Sequence, residues 1–224
     1  MDLIGFIGLG KMGLPMASNL ARKGASVITY DVRREPMLEV AKLGGTCGDS
    51  VSDVAARAGV VFTMLPNSSD VDAVITGPNG VLESARPGSV VVDMSTIDPR
   101  VTDKIAAAAA AKRIGFVDAP VGRLSSHAER GESLFMVGGA PEDFARVKPL
   151  LEMMGTTIHH CGAVGTGMRT KLVNNFLAIV SCQMNAEAIA LSQRFGCRWR
   201  KRSTSFTAPR PRTASSRWHG PPRC

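Results

Sequence analysis

The feature that most constrains this chain is the run Leu3-Ile4-Gly5-Phe6-Ile7-Gly8-Leu9-Gly10-Lys11-Met12-Gly13, an apolar stretch of strand length that passes directly into glycines spaced G-x-G-x-x-G. Glycine at 8 permits a tight turn, glycine at 10 lets backbone approach a ligand closely, and glycine at 13 lets the next helix pack against the sheet with its first N–H groups facing an anion. Glycine turns alone are common, so the context matters. Ala17 to Lys23 continues as a helix that Gly24 ends, and Ser26-Val27-Ile28-Thr29-Tyr30 reads as a second strand delivering Asp31. This order predicts a dinucleotide held by Gly8, Leu9, Gly10, Lys11, Met12 and Gly13, with Asp31 on a ribose. A carboxylate there accepts from both ribose hydroxyls and repels a 2′-phosphate, so NAD is expected over NADP. Arg33 and Arg34 are placed to meet a 2′-phosphate, but they read better as the solvated start of a helix.

Up to about Gly162 strands and helices alternate, the pattern of a doubly wound parallel sheet. Glu35 to Leu43 and Val51 to Ala58 read as helices, and Val60 to Met64 reads as a buried strand ending in Leu65-Pro66-Asn67. Ser68 to Ile75 is a helix, Val90 to Met94 a strand, Pro99 to Lys112 an alanine-rich helix, and Phe116-Val117 leads into Asp118-Ala119-Pro120-Val121-Gly122-Arg123. Ser133 to Val137, a helix Pro141 to Met154, and Thr156 to His160 complete this domain, expected over residues 1–162. In such sheets ligands sit beyond the carboxyl ends of the strands, so Leu65-Pro66, Ser95-Thr96 and the glycine loop should converge on one crevice.

A single long helix from Gly165 to Phe195 follows, expected to open a helical second domain over 163–196. On it Lys171, Asn174 and Asn175 are spaced i, i+3, i+4 and share a face. Taken alone the trio reads as an exposed face, as charged residues on helices usually are, while the apolar flanks Leu172, Val173, Phe176, Leu177, Ile179 and Val180 leave open partly buried surroundings. A lysine so desolvated loses basicity and becomes a proton donor and acceptor near neutral pH.

Composition excludes some classes. The chain has 224 residues, 44% of them hydrophobic, which suits an ordinary core. The apolar start lacks a basic leader, and Ala106 to Ala111 is too short to span a bilayer, so no membrane association is expected. Cys47, Cys161, Cys182, Cys197 and Cys224 are scattered with no C-x-x-C pair, as in reduced cytoplasmic proteins. In His159-His160-Cys161 adjacent side chains point to opposite strand faces, so no metal site is expected. The net charge of +8 is local. Eight of the 27 basic residues lie in 198–224, which has no acid, leaving 19 basic against 19 acidic residues elsewhere. That segment, 197–224, also carries both tryptophans and four prolines without helical or strand periodicity, and is expected to be a disordered basic tail. Its cations would give only sequence-independent binding to nucleic acid, so no specific nucleic-acid partner is expected.

Taken together, Gly5 to Ala17, Met64-Leu65-Pro66, Asp93-Met94-Ser95-Thr96, Asp118-Ala119-Pro120-Val121 and Gly165 through Lys171 to Asn175 resemble the β-hydroxyacid dehydrogenase family, whose members include 3-hydroxyisobutyrate and tartronate semialdehyde reductases. The resemblance covers residues 2 to about 196. It implies a Rossmann-like domain, a cofactor held by Gly8 to Gly13 and Asp31, and a nicotinamide side lined by Leu65, Pro66 and Thr96. It also implies substrate contacts from Ser95, Val121 and Gly122, with Lys171 as general acid and Asn174 and Asn175 orienting the substrate. Where most of the family reads Pro-Val-Ser-Gly-Gly, this chain has Pro120-Val121-Gly122-Arg123, similar to the sulfolactaldehyde reductase branch. A guanidinium in that loop offers forked donors to a sulfonate or carboxylate, so a strongly anionic semialdehyde is the expected substrate. Ala178 departs from that branch, which carries a serine there.

The family continues past this helix into further helices, through which its members assemble. Back-translating Gly196 to Pro209 with GC-rich codons and reading one base earlier yields Leu-Pro-Leu-Ala-Gln-Ala-Leu-Asp-Val-Phe-His-Gly-Thr, which resembles the next family helix. The expectation is a lost base near Gly196, a truncated helical domain, poor turnover, and exposure of Ile179, Ile189 and Leu191.

Overall fold

A computed structural model of the chain describes residues 2–196. Among the described residues the chain divides into two units, one up to Ile179 and one from Val180 onward. The strands are β1 (Ile4–Ile7), β2 (Val27–Tyr30), β3 (Thr46–Cys47), β4 (Val60–Thr63), β5 (Val90–Asp93), β6 (Gly115–Asp118), β7 (Val121–Gly122), β8 (Ser133–Gly138) and β9 (Gly155–Gly162). The helices are α1 (Gly13–Arg22), α2 (Arg34–Ala41), α3 (Val51–Arg57), α4 (Ser68–Thr76), α5 (Val81–Ser84), α6 (Pro99–Ala111), α7 (Ser125–Glu129), α8 (Pro141–Met154) and α9 (Thr166–Arg194).

The strands form one sheet in the order β3-β2-β1-β4-β5-β6-β8-β7, with β9 paired to β8. The reversal between β1 and β4 is the switch point of a doubly wound fold, where a crevice opens at the carboxyl ends. From β3 to β6 all neighbours are parallel, and one register row, Tyr30, Ile7, Thr63, Asp93 and Asp118, closes five of them at the same level. Side chains alternate between two apolar layers: Ile4, Phe6, Phe62 and Val92 pack into one, and Ile7, Ile28, Val61 and Val91 into the other. Both faces are thus covered, as a parallel sheet requires.

The doubly wound parallel sheet is present from β3 to β6; beyond it β8 runs antiparallel to both β6 and β7, and β9 lies parallel to β8. Between Asp118 and Ser133 the chain forms β7 and the short α7, and β8 turns back to pair with β7 as well as with β6. Sequence reading also passed over β3, β5-proximal α5, β7 and α7, elements of two to five residues that carry too few positions to show a period.

In α9 only Gly167 and Met168 are buried. Leu172, Val173, Phe176, Leu177 and Ile179 are exposed, and so, within the second unit, are Met184, Ile189 and Leu191. The expected exposure of Ile179, Ile189 and Leu191 is therefore present, whereas the apolar flanks do not enclose the polar trio. The expectation of a disordered tail over 197–224 lies outside the described residues.

Candidate functional site

The loop after β1 is built by its glycines. Gly8 has φ +93° and a Cβ there would strike the Met64 carbonyl; a Cβ on Gly13 would strike the Gly8 carbonyl. Gly10 differs, since nothing lies within 4 Å of where its Cβ would be. The first two glycines make the turn, and the third leaves backbone open to a cavity. Helix α1 begins here with no side-chain cap on Met12 and no acid in its first turn; the Leu14 N–H donates to the Gly10 carbonyl at 3.1 Å, and the positive end of the helix dipole favours an anion.

That cavity has a volume of about 590 Å³ and is lined by Gly8, Gly10, Lys11, Met12, Gly13, Asp31, Arg33, Leu65 and Pro66 among others. Leu9 is buried in the core, and its N–H donates to Asp31 Oδ2 at 2.7 Å. Asp31 Oδ1 accepts from the Arg33 N–H at 2.9 Å and from Arg33 Nε at 3.1 Å, and Arg33 Nη2 also donates to the Leu9 carbonyl at 3.3 Å. Burial works to raise the Asp31 pKa, and these donors outweigh it, holding the carboxyl below its ordinary value. Arg33 is the solvated helix start that its sequence position suggested, the exposed residue just before α2, and from there its guanidinium also reaches Asp31. An open glycine face, an uncapped helix start and an ionised carboxylate at the rim fit a dinucleotide, and these residues would hold it.

The loops after β4 and β5 are braced together. Ser95, which is fully buried, accepts from the Leu65 N–H at 2.9 Å and donates to Asp93 Oδ1 at 2.6 Å, and Thr63 Oγ1 donates to the same oxygen at 2.9 Å. The Ser95 hydroxyl expected to meet substrate spends its proton inside the protein. Burial pushes the Asp93 carboxyl up, against the Ser95 and Thr63 donors, and its Oδ2 takes no hydrogen bond among the described residues. Thr96 is exposed and lines a second cavity of about 510 Å³ with Pro66, Ile97 and Leu172. Pro66 belongs to both cavities.

Lys171 lines neither cavity, although Leu172 beside it lines the second. Lys171 and Asn175 are half-buried and Asn174 is exposed. Burial alone moves the Lys171 amine down from its ordinary value. Val121 and Gly122 are buried in β7, next to β8. Arg123 takes the left-handed conformation, φ +73°, and its guanidinium donates to the Glu132 carbonyl at 2.6 Å, Thr157 Oγ1 at 3.2 Å and Thr156 Oγ1 at 3.4 Å. The structure thus gathers Gly8, Gly10, Lys11, Met12, Gly13, Asp31, Leu65 and Pro66 into one cavity, puts Leu9 in the core and Thr96 on the second cavity, and leaves Ser95, Val121, Gly122, Arg123 and the α9 trio outside the first.

Sequence reading missed Asp118 as a site residue. It is fully buried, with Oδ1 accepting from the Gly165 N–H at 2.6 Å and Oδ2 from the Met168 N–H at 2.7 Å. Burial raises its pKa to about 6 despite those two donors. The available signal was an acid directly at a strand end, followed by Ala119-Pro120. Among the described residues no group of three or more His, Cys, Asp and Glu is arranged to hold a metal ion, and no helix is long and apolar enough to cross a membrane. His160 instead hydrogen-bonds Gly139 and stacks on Phe144 at 4.3 Å.

The family model for the NAD binding domain of 6-phosphogluconate dehydrogenase matches residues 3–179. Mitochondrial 3-hydroxyisobutyrate dehydrogenase of Mus musculus is 42% identical over 86% of this chain and 58% of its own length. The 3-sulfolactaldehyde reductase of Escherichia coli is 40% identical over 86% of this chain and 65% of its own. Mycobacterium tuberculosis 3-hydroxyisobutyrate dehydrogenase, solved with L-serine, superposes with a TM-score of 0.84 at 35% identity, covering 88% of this chain and 67% of that one. The chain spans about three fifths of the length of these curated relatives. The glycine cradle, the sheet order and these likenesses converge: the chain belongs to the family of the NAD binding domain of 6-phosphogluconate dehydrogenase, among its 3-hydroxyisobutyrate dehydrogenase-like β-hydroxyacid dehydrogenases.

Proposed function

We propose that this chain is the cofactor-holding part of an NAD(H)-dependent oxidoreductase that interconverts a small anionic semialdehyde and its hydroxyacid. The observation that carries the reading is the open Gly10 face on a cavity rimmed by ionised Asp31, at the strand-end level from which Asp118 also holds the start of α9. The bound nicotinamide supplies or accepts the hydride. Lys171 protonates the carbonyl oxygen, or takes the proton back in reverse, and its burial tunes the amine toward that task. Asn174 and Asn175 orient the substrate, while Leu65, Pro66 and Thr96 border the nicotinamide side. Asp31 favours NAD over NADP by denying room and charge balance to a 2′-phosphate. A cytoplasmic setting suits the free thiols of Cys47, Cys161 and Cys182.

Arg123 favours 3-sulfolactaldehyde, since a guanidinium matches a sulfonate with forked donors. A second reading, 3-hydroxyisobutyrate or tartronate semialdehyde chemistry, draws support from the three protein oxygens that already engage Arg123, and from Ala178.

The test is NADH oxidation with sulfolactaldehyde, methylmalonate semialdehyde and tartronate semialdehyde, in this chain and in a version extended to the length of its relatives. Turnover is expected to be fastest with sulfolactaldehyde, and Lys171→Ala to lower kcat about a hundredfold or more with NADH affinity unchanged. An extended protein that binds NADH and reduces none of the three is a dinucleotide-binding protein without this catalysis.

A further inference from the structure

Asp118 ends β6, and its two carboxylate oxygens are divided between two backbone donors at the start of α9, the Gly165 N–H just before its first residue and the Met168 N–H in its first turn. A helix start leaves its first N–H groups without partners, and most helices cap them with a residue of their own sequence. Here the cap comes from the sheet, 47 and 50 positions earlier in the chain. The contact is a close backbone approach. A Cβ on Gly167 would strike the Met136 carbonyl and stand 2.8 Å from the Asp118 carbonyl, and a Cβ on Gly138 would stand 2.5 Å from Asp118 Oδ1. Around this anchor, fully buried Met168 accepts the Ile97 N–H through Sδ at 3.4 Å, and Arg169 pairs with Asp103 at 2.7 Å. Lys171 comes three residues after Met168, less than one turn along a helix whose depth and rotation are set at that point. Around Asp118 the charged groups are Asp93 across the strand pair and Arg169 on the helix.

Resting on the function proposed above, we propose that Asp118 is a positioning residue: by holding the first turn of α9 against β6 and β8 it sets where the Lys171 amine stands and how far it is withdrawn from water. An ionised carboxylate suits this place because it offers acceptors to both donors, whereas an amide of the same shape turns an N–H₂ toward one of them.

The test is Asp118→Asn in the full chain. Lys171 is acylated by an amine-selective reagent across pH and followed by mass spectrometry, beside NADH titration and thermal melting. The NADH dissociation constant is expected to stay within about twofold while the midpoint of Lys171 labelling rises by about one pH unit, as the amine regains water. Where turnover is measurable, kcat falls about tenfold or more with KM for NADH unchanged. An unchanged labelling midpoint in a folded variant overturns the proposal. If the variant unfolds, the wild type decides. Its Gly165 and Met168 amides must exchange as slowly as those of β6, and exchange at the rate of unprotected amides overturns the proposal. A wild type that binds NADH and reduces no semialdehyde overturns the reductase reading, while labelling and exchange still report on Asp118.

Discussion

Asp93 and Asp118 are register partners on neighbouring parallel strands, and both are buried. Each is pushed up by burial, Asp118 to about 6, with Asp93 adding to the Asp118 shift by its charge. Both carboxyls therefore release their protons at a higher pH in the folded state than in the unfolded chain.

The sign of the pH effect follows. A carboxyl whose folded value lies above 3.8 contributes stability that is fully present below that value and is lost as pH rises through about 6. Asp118 alone corresponds to about 3 kcal/mol across this window. Exposed carboxylates held low by partners, such as Asp98 at about 2 through the Arg100 side chain, act below 3.8, so the windows are separate. Urea unfolding between about pH 4 and 7 should give a midpoint that falls as pH rises.

The three glycines should separate by role. Gly13→Ala and Gly8→Ala meet backbone carbonyls, and each is expected to cost about 2 kcal/mol or more. Gly10→Ala meets nothing within 4 Å, so its melting temperature should match wild type while NADH affinity falls about tenfold or more. Melting curves beside NADH titrations check this, and a Gly10→Ala variant with full affinity would speak against the cradle.

Asp31 is expected to govern cofactor choice, with Arg33 already beside it. Asp31→Ser removes the repulsion and frees the guanidinium, so the ratio of NADP to NAD affinity should rise about tenfold or more. Parallel titrations with the two reduced cofactors read that ratio.

Arg123→Gly should preserve the fold, because glycine adopts φ +73° without the cost of about 1 kcal/mol that a side chain incurs there. What should disappear is any preference for sulfonate over carboxylate substrates, by about tenfold in kcat/KM. Competition between sulfolactaldehyde and methylmalonate semialdehyde measures it.

Much of the molecule was legible in its residues. The Pro141–Met154 helix, the buried runs of β1, β4 and β5 and the glycine triplet all carry their cause locally, in a proline at a helix start, in β-branched residues, or in positions that tolerate no side chain. The turn-back at β8 was not legible, because strand direction depends on which strands it pairs with in space rather than on the strand itself. The bracing role of Ser95 was not legible either, because its partners Asp93 and Leu65 come from different loops.

By itself the sequence determined a doubly wound sheet with a dinucleotide turn, since periodicity and glycine placement are properties of neighbouring residues. Only tertiary structure decided that Asp118 would cap a helix 47 residues further on, that Asp93 and Asp118 would be buried side by side, and that Ser95 would brace two loops. Those outcomes depend on distance through space and exclusion of water, and neither is written in the spacing of residues along the chain.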